Sequence, residues 1–181
     1  GMMECKKALV ETDGDIEKAL DLLRANSSLK AEKKASRVAA DGEVKIAKNL
    51  KYMSLVEINS ETDFAAKDSQ FKDFANDVAE HLVSNQLNDI AELCSVFEEK
   101  RQSLIQSIGE NIQLRRLETL EVQSGGSIGA YVHSDGKLAA MVSIDTDNKE
   151  LAKDLAMHVS ATNPSCLQAD DIDPDLLERE R

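Results

Sequence analysis

The chain has 181 residues and carries 34 acidic against 22 basic side chains, a formal net charge of −12. A body this acidic repels phosphate backbones, which argues against nonspecific nucleic-acid binding but does not exclude a protein partner with a basic face. Aromatics are only 3%, Trp is absent, two prolines are present and no long apolar run occurs, so the chain reads as a soluble, aliphatic-cored protein rather than a membrane span.

The charge is uneven. Residues 1–51 hold 11 basic and 9 acidic side chains, and the remaining residues hold 11 and 25. Residues 1–10 and 15–26 read as two short helices parted by Thr12-Asp13-Gly14-Asp15, with Cys5, Ala8 and Leu9 on one face of the first and Ile16, Ala19, Leu20 and Leu23 as the stripe of the second. A third helix is expected from about Ser28 to Val38. Its Lys30, Lys33, Lys34 and Arg37 share a face without interleaved aromatics, so that face reads as solvated. Ala39-Ala40-Asp41-Gly42 ends the helical pattern and marks a domain boundary.

Alternation at Val44 and Ile46, a turn at Lys48-Asn49 and a second run from Tyr52 to Ile58 predict a hairpin. The next stretch, Asn59 to Asp68, organises the chain. Ser60 and Asp63 have capping-box spacing, so a helical turn should start there and place Phe64 at a strand-to-helix corner. Phe64 has two readings, a core residue under the strand or an exposed anchor for a partner's pocket, and spacing does not choose between them. Two amphipathic helices follow. Phe71, Phe74, Ala75, Val78 and Leu82 stripe the first. Ile90, Leu93, Cys94, Phe97, Leu104 and Ile108 stripe the second, with Asp89 as its cap. A strand from Ile112 to Val122 comes next. The runs Ile128 to His133 and Leu138 to Ile144 then flank the Asp135-Gly136 hairpin turn. A helix after Asp147 should carry Leu151, Leu155 and Val159 on one side and stop at Pro164. The fold class expected is α+β, an antiparallel sheet packed with a helical hairpin.

No arrangement for covalent chemistry stands out. His81, His133 and His158 lie on separate elements without metal-ligand spacing, and no metal or cofactor site is expected. Gly125-Gly126-Ser127-Ile128-Gly129 leads into a strand, not into a helix N-terminus that could hold a phosphate. The tail acids Asp170, Asp171, Asp173 and Asp175 lack the calcium-loop pattern. Cys5, Cys94 and Cys166 form no disulfide framework, which suits a reducing compartment. One alternative is an enzyme pairing Cys94 or Cys166 with a histidine.

Thr62-Asp63-Phe64-Ala65-Ala66-Lys67-Asp68 resembles the T-D-F-V-A signature of the elongation factor Ts family, with Ala65 in place of the usual Val. Met2-Met3-Glu4-Cys5-Lys6-Lys7-Ala8-Leu9 is similar to that family's N-terminal signature. Gly109-Glu110-Asn111-Ile112 with Arg115-Arg116 resembles its G-E-N-I-x-x-R-R segment, and Ala156-Met157-His158-Val159 a later one. Several matches in the family's order are more specific than any single one.

The resemblance implies a guanine-nucleotide exchange factor acting on the GTPase domain of elongation factor Tu, not an enzyme, with no direct contact to nucleic acid or membrane. It implies partner contacts at Thr62, Asp63 and Phe64, at Ile108 and Gly109, at His133, and at Met2 and Met3. It also implies a cytoplasmic place, bacterial or in an organelle matrix. The organisation implied is a partial ubiquitin-associated-like helical module and linker helix over 1–38, an α+β core subdomain over 39–165, and the start of a truncated C-terminal region over 166–181. On that alignment the chain begins after the module's first helix and stops short of the family's C-terminal part. The remaining alternative is an interaction module without exchange activity.

Overall fold

A computed structural model describes residues 2–179. Helices α1 (Met2–Glu11) and α2 (Ile16–Lys34) come first. A three-stranded antiparallel sheet is built from β1 (Asp41–Lys48), β2 (Tyr52–Ser60) and β3 (Ile112–Glu121), in the order β1-β2-β3. Between β2 and β3 run α3 (Asp63–Lys67), α4 (Ser69–Asn85) and α5 (Ile90–Ile108). A separate two-stranded sheet, β4 (Ser127–Val132) with β5 (Ala139–Ile144), is followed by α6 (Lys149–Thr162), a 3₁₀ turn at Ala169–Asp171 and α7 (Pro174–Arg179). The class is α+β as expected, with two antiparallel sheets.

The helix expected from Ser28 to Val38 is not a separate element. α2 runs unbroken from its Asp15 cap to Lys34. The polar stretch Asn26-Ser27-Ser28 does not break it, because the Ser27 hydroxyl donates back to the Leu23 carbonyl at 3.0 Å inside the helix. The second half of α2 also has an apolar contact to hold it, since Ala31 is buried in the main core.

The β1–β2 hairpin closes through Asn49. Its side-chain oxygen accepts from the N–H groups of Lys51 and Tyr52, both at 2.8 Å. Helices α4 and α5 cover one sheet face. Phe71, Phe74, Val78 and Leu82 from α4 and Leu93, Phe97, Leu104 and Ile105 from α5 meet Val56, Ile58, Ile112 and Leu114 from the strands. Phe74 and Phe97 meet edge to face, with centroids 5.8 Å apart. The predicted Asp89 cap forms, accepting from Ala91 N–H at 2.7 Å, and Gly109 closes α5 at φ 91°.

The pairing of β2 with β3 slips between Glu57 and Ile58, so that Glu57 faces Arg116 while Ile58 faces Leu114. The extra residue is Arg115. Successive strand residues normally point to opposite faces, but a bulge re-aims one of them. Both Arg115 and Arg116 therefore reach the half-buried Glu57 carboxylate, Arg115 at 3.0 Å.

The second sheet meets the first at one corner. The Val44 N–H on the free edge of β1 donates to the Gly136 carbonyl at 2.7 Å, and Lys137 pairs with Asp41 at 2.7 Å. A groove of about 430 Å³ lies between the two, lined by Glu43, Leu55, Glu57, Asn59, Leu117 and Leu138.

α6 corrects the expected stripe. Ala152 and Ala156 are buried, while Leu151 and Leu155 are 44% and 36% exposed. The cause is Gly129 on β4, where an added Cβ would sit 2.1 Å from the Ala152 backbone. The helix lies so close to the strand that only its alanine face fits between them.

Candidate functional site

The corner between β2 and α4 is built from residues far apart in sequence. Ser60 is not its cap. It is the last residue of β2, fully buried, and its hydroxyl donates to the Thr62 carbonyl at 2.9 Å. Thr62 is the cap instead. It has the extended backbone a cap requires (φ −131°), and its hydroxyl oxygen accepts from Ala65 N–H at 3.4 Å. The capping box fails because β2 extends two residues past Ile58 and carries Ser60 into the sheet, paired with both Asp41 and Ile112.

α3 is a single turn. Ala65 and Ala66 face inward and Phe64 faces out, 80% exposed. Of the two readings of Phe64, the packing is that of an exposed residue. Asp63, in the first turn, pairs with Lys67 at 2.6 Å, and this contact holds its carboxyl below the usual carboxylate range. A short residue directly after Phe64 fits the geometry, because Ala65 is buried.

The corner is fastened to the end of α5. Glu110 accepts from the Thr62 hydroxyl at 2.7 Å and from the Thr62 N–H at 2.9 Å. In the opposite sense, Glu61 accepts from the Asn111 N–H at 2.7 Å and lies 3.5 Å from Arg37. Asn111 is fully buried and donates to the carbonyls of Arg37 and Ala35, at 2.8 and 3.4 Å. Three segments thus meet here: 35–37 after α2, 61–62 after β2 and 110–111 after α5.

The structure brings the sequence-derived residues together unequally. Thr62, Asp63 and Phe64 share the corner. Gly109 directly precedes Glu110, and Ile108, on the apolar stripe of α5, is half-buried against the core. His133 ends the β4 hairpin arm, with its Nδ1 3.0 Å from Asp135. The hairpin turn docks beside the corner, because Lys137 binds Asp41 and also acts electrostatically on Asp63. Met2 and Met3 are 89% and 74% exposed on α1. α1 is tied to α5 through Glu4, which accepts from Gln106 at 2.8 Å and pairs with Lys30.

Sequence reasoning missed Glu61, Glu110, Asn111, Asp41 and Lys137 as parts of this assembly. Glu110 and Asn111 stand inside a segment singled out for resemblance. Only their partners, 48 to 76 positions away, reveal what they do.

A family profile described as Elongation factor TS matches residues 61–181. The chain belongs to the elongation factor Ts family. An elongation factor Ts from Hahella chejuensis is 49% identical over an alignment covering all of this chain and 63% of the relative. Those from Alcanivorax borkumensis and Saccharophagus degradans are 48% and 46% identical, with this chain again covered in full against 66% and 63% of the relatives. The chain therefore spans less than two thirds of the length of the relatives it matches. The family match begins at Glu61, the first residue of the corner.

Thiol chemistry gains no support from the geometry. Burial pushes the Cys94 thiol above its ordinary value, whereas a nucleophilic cysteine needs the opposite shift. His81 packs edge-on against Phe97 at 5.3 Å. Among the described residues, no group of three or more His, Cys, Asp and Glu side chains is arranged to hold a metal, and no helix is long and apolar enough to cross a membrane.

Proposed function

We propose that this chain forms part of a guanine-nucleotide exchange factor that speeds GDP release from elongation factor Tu during translation elongation. The observation that carries the reading is Phe64, a large apolar side chain left 80% exposed on a corner whose backbone is held by neighbouring carboxylates. An exposed aromatic on a loose loop would lose its gain to ordering on binding. One on a fixed corner keeps more of it.

The physics needs no reacting group. A factor that binds the nucleotide-free GTPase more tightly than the nucleotide-bound form weakens nucleotide binding by the same ratio. Phe64 entering an apolar pocket of the GTPase domain contributes about 1.5–3 kcal/mol, roughly tenfold to a hundredfold in affinity. Such a term biases the position of a helix in the partner but does not expel nucleotide alone. Further contacts are proposed at Asp63 and Thr62, at Gly109 with Ile108, at His133 on the docked hairpin, and at the exposed Met2 and Met3. The relatives are bacterial proteins, so the compartment proposed is the bacterial cytoplasm.

Stopped-flow release of fluorescent GDP from elongation factor Tu, with Phe64→Ala made in the full-length protein, tests this. Release is expected to slow at least tenfold, the lower end of the affinity estimate, while the melting temperature stays close to that of the parent. Unchanged release refutes the anchor role. Binding without accelerated release by the parent protein would mark a plain interaction module.

A further inference from the structure

α3 has five residues, far fewer than a helix needs to stand alone in water. Its direction must therefore be imposed from outside. Thr62 has two polar hydrogens, one on the backbone nitrogen and one on the hydroxyl, and both go to one carboxylate, that of Glu110. A hydroxyl has a single proton. Donating it to Glu110 Oε1 at 2.7 Å leaves a lone pair to accept the Ala65 N–H. Glu110 thus fixes the hydroxyl rotor in the orientation that caps α3. The reversed link, Glu61 accepting from Asn111 N–H, holds the same two chain segments from the other side.

We propose that Glu110 is a positioning residue for nucleotide exchange: it orients Thr62 as the cap of α3 and thereby sets the direction in which Phe64 leaves the surface. The proposal rests on the reading of Phe64 as the partner anchor. It does not require Glu110 to touch the partner. It requires two acceptor oxygens at this point. Gln in place of Glu110 supplies one acceptor and sets an NH₂ group against the second donor, and Ala supplies none.

The test uses the full-length protein with Glu110→Ala, Glu110→Gln and Glu110→Asp, each also combined with Phe64→Ala. In the free protein, hydrogen exchange at the Ala65 amide is expected to accelerate about fivefold in the Ala and Gln variants, the scale of a lost helix cap. Asp, which keeps the charge and can recover one bond, should fall between them and the parent. The contact is exposed, so melting temperature should barely move. In the exchange assay, the concentration giving half-maximal GDP release should rise by a similar factor while the maximal rate is kept. In the Phe64→Ala background, Glu110→Ala should add no further loss.

Unchanged Ala65 exchange overturns the proposal, and so do fully additive losses in the double variant, which would mean that Glu110 acts without Phe64. If Phe64→Ala alone leaves release unchanged, the anchor reading fails and the effect assigned to Glu110 on release fails with it. The Ala65 amide then still decides separately whether Glu110 holds the corner.

Discussion

Phe64 and Phe71 stand seven positions apart and at opposite extremes of exposure, 80% and 0%. Truncating them should therefore remove energy from different places. Phe71→Ala opens a cavity in the main core and should cost about 3–5 kcal/mol in urea unfolding. Phe64→Ala should stay within about 0.5 kcal/mol of the parent in the same measurement. Hydrophobic spacing placed Phe71 correctly and was silent on Phe64, because a residue in a single turn has no period to be read from. Glu57 gives a second prediction at this scale. Burial works against its charge, but the bonds from Arg116 and Asn59 outweigh burial and hold its carboxyl below its ordinary value of 4.5. A depressed pKa means that the stabilisation is complete above the ordinary value and is lost as pH falls through the folded one. Glu57→Gln should thus lower stability at pH 7 and make the decline below about pH 4.5 shallower, as followed by urea midpoints across that range.

At the scale of elements, α4, α5 and the β1–β2 hairpin were legible because each carries its own signal: an apolar stripe, an acidic cap, an asparagine turn. α2 and α6 were not. The break expected near Ser27 rests on local polarity. What decides the matter is tertiary: Ala31 has core to bury against, and the Ser27 hydroxyl meets Gln106 of α5. For α6 the leucines dominate the pattern, yet the buried face is set by Gly129 on another element. Gly129→Ala tests this. The added methyl would collide with backbone, not with a side chain that can swing away, so a loss of at least about 1–3 kcal/mol is expected. Hydrogen exchange should show that loss concentrated in α6 and β4, with the amides of α4 and α5 as protected as before. Equal loosening throughout would mean that α6 is bound into the main core.

For the whole molecule, the question is what keeps the two sheets in one arrangement. Asp41–Lys137 and Val44–Gly136 both join the second sheet's hairpin to β1. The pairing with Lys137 lowers the Asp41 carboxyl below its ordinary 3.8, and that with Asp41 raises the Lys137 ammonium above its ordinary 10.5. Asp41 contributes above 3.8 and fails as pH falls through its folded value. Lys137 contributes below 10.5 and fails as pH rises through its own. The docked hairpin should therefore hold across the neutral range and loosen at the two ends. Protection of the Val44 amide, which donates to Gly136, should drop below pH 3.8 before that of Val56 does. Lys137→Met should produce the same loss at neutral pH. None of this could be found by spacing, since Asp41 and Lys137 meet across almost a hundred positions.

The cross-links at the corner also bear on the order in which the molecule is made. Thr62 waits for Glu110, 48 positions later, and the carbonyl of Arg37 waits 74 positions for Asn111. A chain growing from its N-terminus can form the β1–β2 hairpin long before either partner has been synthesised. Phe64 would then leave the ribosome on an unfixed turn, and the surface offered to a partner would be finished only when β3 begins. In refolding, protection at Thr62 and Asn111 should appear together, in one late step.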